Sequence, residues 1–272
     1  MCIRDSAYIG LGRTYDALNR PDEAEQNYRL AIDADVSYWA SFNAMGNFLF
    51  EQSRFNEAAE FYQMYVNRSE YDGPALSNLG AAYYLAGEFR KAAGAWEEAI
   101  KVRPTRSVYS NTGTMYFYLG DFDKAADRYA MAANMAPNDY IVWGNLADAY
   151  QHGEKFAGVA DVTYKRALQL AQAALEVNPN DAEAMSFVAY YQARLGNNNV
   201  ALEMDAAARD KAPSKMYVYY NSALVHAILG DAERAMDAME RAVELDYQAE
   251  LLRLDPAFAE LQDEERFKQL IQ

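Results

Sequence analysis

The sequence predicts an all-α fold built from seven repeated helix–turn–helix units, and three observations support this prediction. A small residue returns every 34 residues, with one step of 33 and one of 42. Large apolar or aromatic residues stand at fixed distances from it, and alanines follow in the second half of each unit. Gly before an acidic residue, and Pro near the end of a unit, mark where helices stop. The small residues are Gly12, Gly46, Gly80, Gly113, Ala147, Ala189 and Ala223.

Each position within a unit has a physical reason. In the third unit, Gly80 lets the two helices approach closely, while Tyr83 and Trp96 fill the space between neighbouring units. Gly87 is expected to end the first helix, because glycine adopts the left-handed conformation at low cost. Pro104 is expected to stop the second helix. The Gly–acidic pair recurs at Gly120–Asp121 and Gly230–Asp231.

This pattern resembles the tetratricopeptide repeat over residues 5–249. The resemblance implies antiparallel helix pairs stacked into a right-handed superhelical solenoid, with the first helix of each pair lining a concave groove. We expect one solenoid over residues 1–272, followed at its end by a cap. The predicted ranges are 5–38, 39–72, 73–105, 106–139, 140–181, 182–215 and 216–249 for the repeats, and 250–272 for the cap.

The fifth repeat is eight residues longer than the period. Its extra residues lie beyond Phe156, and the segment Val159–Val177 contains neither Pro nor Gly. It therefore predicts a second helix about two turns longer than those of the other repeats. The extension is either a simple insertion or a protruding helix that docks a neighbouring domain.

The repeat stops after Asp246, and a capping segment is predicted to follow. Asp255 and Pro256 form an N-cap with Pro at the first helical position. An apolar stripe at helical spacing comes next, and it should cover the face that the last repeat would otherwise expose to water. Its residues are Phe258, Leu261, Phe267, Leu270 and Ile271.

The two ends of the chain suggest that it is a fragment of a longer bacterial protein. Residues 254–267 resemble the tail of repeat domains in bacterial signalling proteins, where such repeats follow a protein kinase, a nucleotide cyclase or a DNA-binding regulator. The first residues contain no polar capping helix to match the C-terminal cap. An upstream segment is therefore expected.

Composition argues against several classes of function. A net charge of −15 with scattered basic residues disfavours nucleic acid and anionic membranes, and favours neutral or basic partners. Neither a secretory signal nor an apolar stretch of membrane-spanning length is visible, so a cytoplasmic location is expected. With only Cys2, His152 and His226 besides carboxylates, no metal site, cofactor or catalytic motif is predicted. His226 is expected in the core, and His152 in solvent.

A candidate peptide groove lies on the first helices. Asparagine recurs two residues before the small residue, and an aromatic ring recurs four residues after it. An amide can hydrogen-bond an extended peptide backbone of any sequence, and rings can supply apolar pockets. The asparagines resemble the groove ladder of the O-linked N-acetylglucosamine transferase repeats; alternatively, asparagine is simply common at this position in the family. The candidate residues are Asn43, Asn47, Asn78, Asn111, Asn145, Asn221, Phe50, Tyr84 and Phe117.

The favoured function is a non-catalytic scaffold that binds an extended peptide or a partner domain in the groove. The alternative is a regulatory domain of a larger signalling enzyme or transcription regulator whose other part lies upstream. A third possibility is an assembly protein that self-associates through its uncapped first repeat. The carboxylate clamp of some family members is not predicted, because it needs several Lys and Arg residues where this chain has Arg13 alone.

Overall fold

The computed structural model describes residues 3–69, 72–155 and 158–271, which contain helices and no β-strand. The all-α prediction is confirmed. The helices are α1 Ile3–Ala17, α2 Pro21–Ala34, α3 Trp39–Glu51, α4 Phe55–Val66, α5 Gly73–Leu85, α6 Phe89–Val102, α7 Arg106–Tyr118, α8 Phe122–Met135, α9 Tyr140–His152, α10 Ala160–Val177, α11 Ala182–Arg194, α12 Asn198–Lys211, α13 Met216–Ile228, α14 Ala232–Glu244, α15 Ala249–Leu254, the 3₁₀-helix η1 Pro256–Leu261 and α16 Glu265–Leu270.

Consecutive helices form seven pairs, from α1–α2 to α13–α14, and six of these pairs are joined by three residues. The middle residue of each short turn has a positive φ, as at Gly87 with 77°. The N–H of the third turn residue donates back into the first helix, as from Glu88 to the Tyr83 carbonyl at 2.8 Å. This is the Schellman arrangement. The left-handed turns predicted at Gly87, Gly120 and Gly230 are confirmed.

The chain divides into two compact units. The N-terminal unit is Met1–Met115 and the C-terminal unit is Tyr116–Gln272, with the boundary inside α7. In the N-terminal unit each first helix packs on its second helix, and α2 and α4 pack on the first helix of the next pair. In the C-terminal unit α11 contacts α10, α12 and α13. One continuous solenoid over residues 1–272 stays a prediction.

The helices of a pair meet where a glycine faces an aromatic ring sixteen residues later. A Cβ built on Gly80 would lie 2.6 Å from the Trp96 indole. The corresponding distances are 2.7 Å from Gly12 to Tyr28 and from Gly46 to Tyr62. No real Cβ tolerates such contacts, so the absence of a side chain fixes the spacing of the two helices.

The fifth pair differs from the prediction. Its second helix, α10, has 18 residues where the other second helices have 12 to 14, so it is about one turn longer and not two. The link between α9 and α10 has seven residues, 153–159, where the others have three. The insertion is thus shared between a longer link and a longer helix. Phe156 lies outside the described residues.

The C-terminal segment packs on the last repeat, but as a 3₁₀-helix and a short α-helix. Phe258 and Phe267 are fully buried, and Leu261 is 8% exposed. The Phe258 ring lies edge-on to Tyr220 of α13, with centroids 6.2 Å apart. Arg266 reaches Asp237 and Glu240 of α14. The segment covers apolar surface of α13 and α14.

A buried carboxylate begins this segment. Asp255 is 3% exposed, accepts a bond from the Ala257 N–H at 2.9 Å and accepts another from the Tyr220 hydroxyl. Burial raises the pKa of Asp255 to about 6, although both hydrogen bonds act to lower it. The N-cap predicted from Asp255–Pro256 is present.

Replacement of Gly80 by Ala should lower the stability of the protein, because the new Cβ would press on the Trp96 ring. Overpacking typically costs about 1–3 kcal/mol. The matched control is Gly94→Ala in α6, where a Cβ meets nothing within 4 Å and should stabilise the helix by about 0.5–1 kcal/mol. Urea unfolding of both variants measures the difference. Equal stabilities for the two variants would contradict the close contact.

Deletion of residues 250–272 should lower the melting temperature or cause aggregation, because it exposes the apolar surface that Phe258 and Phe267 cover. Arg266→Ala serves as the control. Its ion pairs are about half exposed and contribute about 0–1 kcal/mol. Thermal unfolding and sedimentation report the outcome. A truncated protein as stable and monomeric as the full chain would disprove the capping role.

Asp255→Asn should stabilise the protein at neutral pH. The folded pKa of Asp255 exceeds its unfolded value, so the wild type loses stability as pH rises from about 4 to 6. Asn keeps the oxygen that accepts from Ala257 N–H and, without a charge, offers an N–H that the Tyr220 hydroxyl oxygen can accept. The variant should therefore gain up to about 3 kcal/mol on the wild type by pH 7 and almost nothing near pH 4. Urea unfolding across this range tests it, and a pH-independent difference would contradict it.

Candidate functional site

Four of the candidate asparagines occupy one position of the first helices, and Asn43 and Asn47 lie elsewhere on α3. Asn78, Asn111 and Asn145 are each the sixth residue of their helix, in α5, α7 and α9. Asn78 and Asn145 are half-buried, and Asn111 is exposed. None of these three side chains forms a hydrogen bond within the described part of the chain. Their amides are therefore free to bind a partner.

Two other candidate asparagines are already engaged. Asn47 accepts a hydrogen bond from the Tyr62 hydroxyl at 2.8 Å. Asn221 is 2% exposed, and its amide donates to the Ser186 hydroxyl at 2.9 Å, between α13 and α11. The expectation that Asn221 lines an open groove is thus corrected, because α11, α12, α14 and η1 all pack against α13.

Asn43 differs both from the three asparagines without hydrogen bonds and from the two with internal partners. It is half-buried on α3, and its side-chain oxygen is shielded from water without a hydrogen-bond partner. A buried acceptor with no donor is costly, at about 1–3 kcal/mol.

The candidate aromatic rings pack across the turns. Phe50, Tyr84 and Phe117 are half-buried, and each contacts the ring that begins the second helix of its pair. The centroid separations are 5.4 Å for Phe50–Phe55, 6.1 Å for Tyr84–Phe89 and 5.3 Å for Phe117–Phe122. These ring contacts therefore stabilise the turn between the two helices of the pair. Only the outer edge of each candidate ring can contact a partner. The recurring five-residue spacing of the two rings was the signal for this role in the sequence.

His152 is not in solvent as expected. Its ring packs on Phe117 and Phe122, with centroid distances of 6.0 and 5.3 Å, and its Nε2 is buried without a partner. Burial lowers the pKa of His152, and Arg194 lowers it further. His152 is thus a neutral ring within the packing of the C-terminal unit. His226 is 3% exposed, as expected for a core residue.

Family models match three segments of the chain, each described as a tetratricopeptide repeat: residues 9–73, 73–106 and 217–249. Each of these three segments is thus similar to tetratricopeptide repeats. Repeats of this family act as scaffolds for protein–protein interaction. No curated protein matches the sequence at a significant level.

Solved structures share the tetratricopeptide-repeat fold. A tetratricopeptide repeat protein from Parabacteroides merdae matches with a TM-score of 0.72 and 14% identity, over 99% of this chain and 98% of that one. MamA protein matches with a TM-score of 0.59 and 21% identity, over 65% and 97%. PilF of Pseudomonas aeruginosa matches with a TM-score of 0.57 and 16% identity, over 80% and 96%. Identities this low establish the fold alone.

Among the described residues, none of the helices has the length and apolarity needed to cross a bilayer. The same residues contain no cluster of three His, Cys, Asp or Glu side chains that could hold a metal ion.

Proposed function

We propose that the N-terminal unit binds an extended protein segment along its first helices, with the free amides of Asn78 and Asn111 holding the backbone of the partner. The observation that carries the proposal is that some candidate asparagines have hydrogen-bond partners within the chain and others have none. Asn47 and Asn221 have internal partners, whereas Asn78 and Asn111 have none. A free amide offers a donor and an acceptor, which is what one peptide unit requires.

The partner segment is neutral or basic. The chain carries a net charge of −15, which favours such a partner over an acidic one. Its apolar side chains would rest against the outer edges of Phe50 and Tyr84. Asn145 and Phe117 offer the same chemistry in the C-terminal unit.

Asn78→Ala combined with Asn111→Ala should weaken peptide binding by at least about fivefold, because each lost hydrogen bond contributes about 0.5–1.5 kcal/mol. Peptides selected from a random display library against the wild-type protein supply the ligand, and calorimetry gives the affinities. The double variant should unfold at the wild-type temperature.

The matched control is Asn47→Ala, which breaks the bond to Tyr62 and should reduce stability while leaving peptide affinity unchanged. If the selected peptides bind the double variant as tightly as the wild type, the asparagines are a feature of the family consensus and do not form the binding site.

A further inference from the structure

The C-terminal unit contains a polar pocket where the repeat normally has apolar core. Its floor is formed by Asp205 of α12 and by Ser222 and His226 of α13, which are at most 3% exposed. Its rim contains the exposed residues Arg234 and Asp237 of α14. The volume is about 460 Å³, within the range of ligand-binding cavities.

The three floor residues replace core residues of the other repeats. Asp205 stands at the ring position, sixteen residues after the small residue, where earlier repeats have Tyr28, Tyr62, Trp96 and Tyr129. At the Ser222 position five other repeats have Leu, Met or Val, and at the His226 position five have Tyr or Leu. Three polar replacements meet at one interface. Each costs stability in a buried environment, so their coincidence points to a function.

Each charged side chain that lines the pocket has an oppositely charged neighbour. Arg209 contacts the Asp205 carboxylate at 3.0 and 3.1 Å, and Asp237 is paired with Arg266 at 2.8 Å. Arg234 lies 3.6 Å from Asp231. Burial raises the pKa of Asp205, but His226, Ser222 and Arg209 together lower it below its usual value, so the carboxylate remains ionised at neutral pH. A charged ligand is therefore not required.

Two buried polar atoms on the pocket floor are the candidate contacts for a ligand. His226 Nε2 lies 3.4 Å from Asp205 Oδ2, whereas His226 Nδ1 is buried without a hydrogen-bond partner. The Ser222 hydroxyl is also buried, and it lies close enough to the Asp205 carboxylate to lower the pKa of that group. A nucleophilic triad would need a hydrogen bond between serine and histidine, and none is formed.

We propose that this pocket binds a small uncharged ligand through an amide or hydroxyl group. The ligand donates a hydrogen bond to His226 Nδ1 and exchanges a second one with the Ser222 hydroxyl. Leu202, Ala206 and Ala238 supply apolar walls for the rest of the molecule. The pocket is separate from the asparagines of the proposed peptide site and does not depend on that function.

The test uses three probes that share a phenyl ring and a planar head group: neutral benzamide, anionic benzoate and cationic benzamidinium. Glucose is a fourth probe, neutral and rich in hydroxyl groups. Only two histidines are present, so imidazole ¹⁵N signals report His226 directly, with His152 as an internal control. Benzamide or glucose should shift the His226 Nδ1 signal saturably and leave His152 unchanged. Binding of benzamide would identify the ligand's functional group as an amide, and binding of glucose would identify it as a hydroxyl. Benzoate and benzamidinium should bind at least tenfold more weakly.

Ser222→Ala should weaken the binding of the responsive probe at least threefold. A variant that restores repeat-like residues, Asp205→Met with Ser222→Leu and His226→Tyr, follows the last repeat, where Met239 stands opposite Ala223. This variant should melt at a higher temperature than the wild type, and calorimetry should show that it no longer binds the probe. The proposal is overturned if neither neutral probe shifts His226, if a charged probe binds more tightly, or if Ser222→Ala binds as the wild type does. A restored variant that melts lower than the wild type, or fails to fold, would also overturn it, because the polar residues would then be structural.

Discussion

The close approach of a glycine to an aromatic ring is the contact on which the helix pairs of the N-terminal unit depend. In three pairs the ring occupies the space where a Cβ would lie, at 2.6 to 2.7 Å. This contact sets the distance between the helices, and the buried alanines, such as Ala92 and Ala99 of α6, fit only at that distance. The Schellman turns then fix the direction in which the second helix returns.

In the last two repeats the small residue is alanine, and the position sixteen residues later is not aromatic. Ala189 is followed by Asp205, and Ala223 by Met239. In both, a smaller or more flexible side chain takes the place of the ring. At Asp205 the exchange also introduces a charge, which Arg209 neutralises. The polar pocket thus follows from a change in the same contact that organises the N-terminal unit.

The fold could be predicted from the sequence more fully than the site could. The fold follows from local patterns along the chain, whereas the site depends on contacts between residues that are distant in sequence. Glycine spacing and left-handed turns are local, and Gly87 or Gly120 could be assigned from the chain alone. Whether an asparagine is free depends on its neighbours in space. Asn78 and Asn221 share one repeat position, yet only Asn221 is enclosed by packed helices. The rings of Phe117 and Phe122 enclose His152, although nothing adjacent to it in the sequence indicates this.

The two units differ in what their interiors contain. The N-terminal unit buries mainly rings and alanines, and polar groups such as Asn47 accept hydroxyl bonds from rings. In the C-terminal unit Asp148 accepts from Tyr164 and Tyr190, and Asp205 and Asp255 are nearly inaccessible. Buried carboxylates stabilise a fold less than apolar residues of the same volume do, and each must keep its partners. Asp205 and Asp255 therefore cost the C-terminal unit stability, and each keeps a side-chain partner, Arg209 and Tyr220 respectively. The N-terminal unit also buries a carboxylate, Asp5, which is 0% exposed and whose Oδ2 has no partner among the described residues. The units thus differ in how a buried carboxylate is paired, since within the described part of the chain only those of the C-terminal unit are held by side chains of other positions.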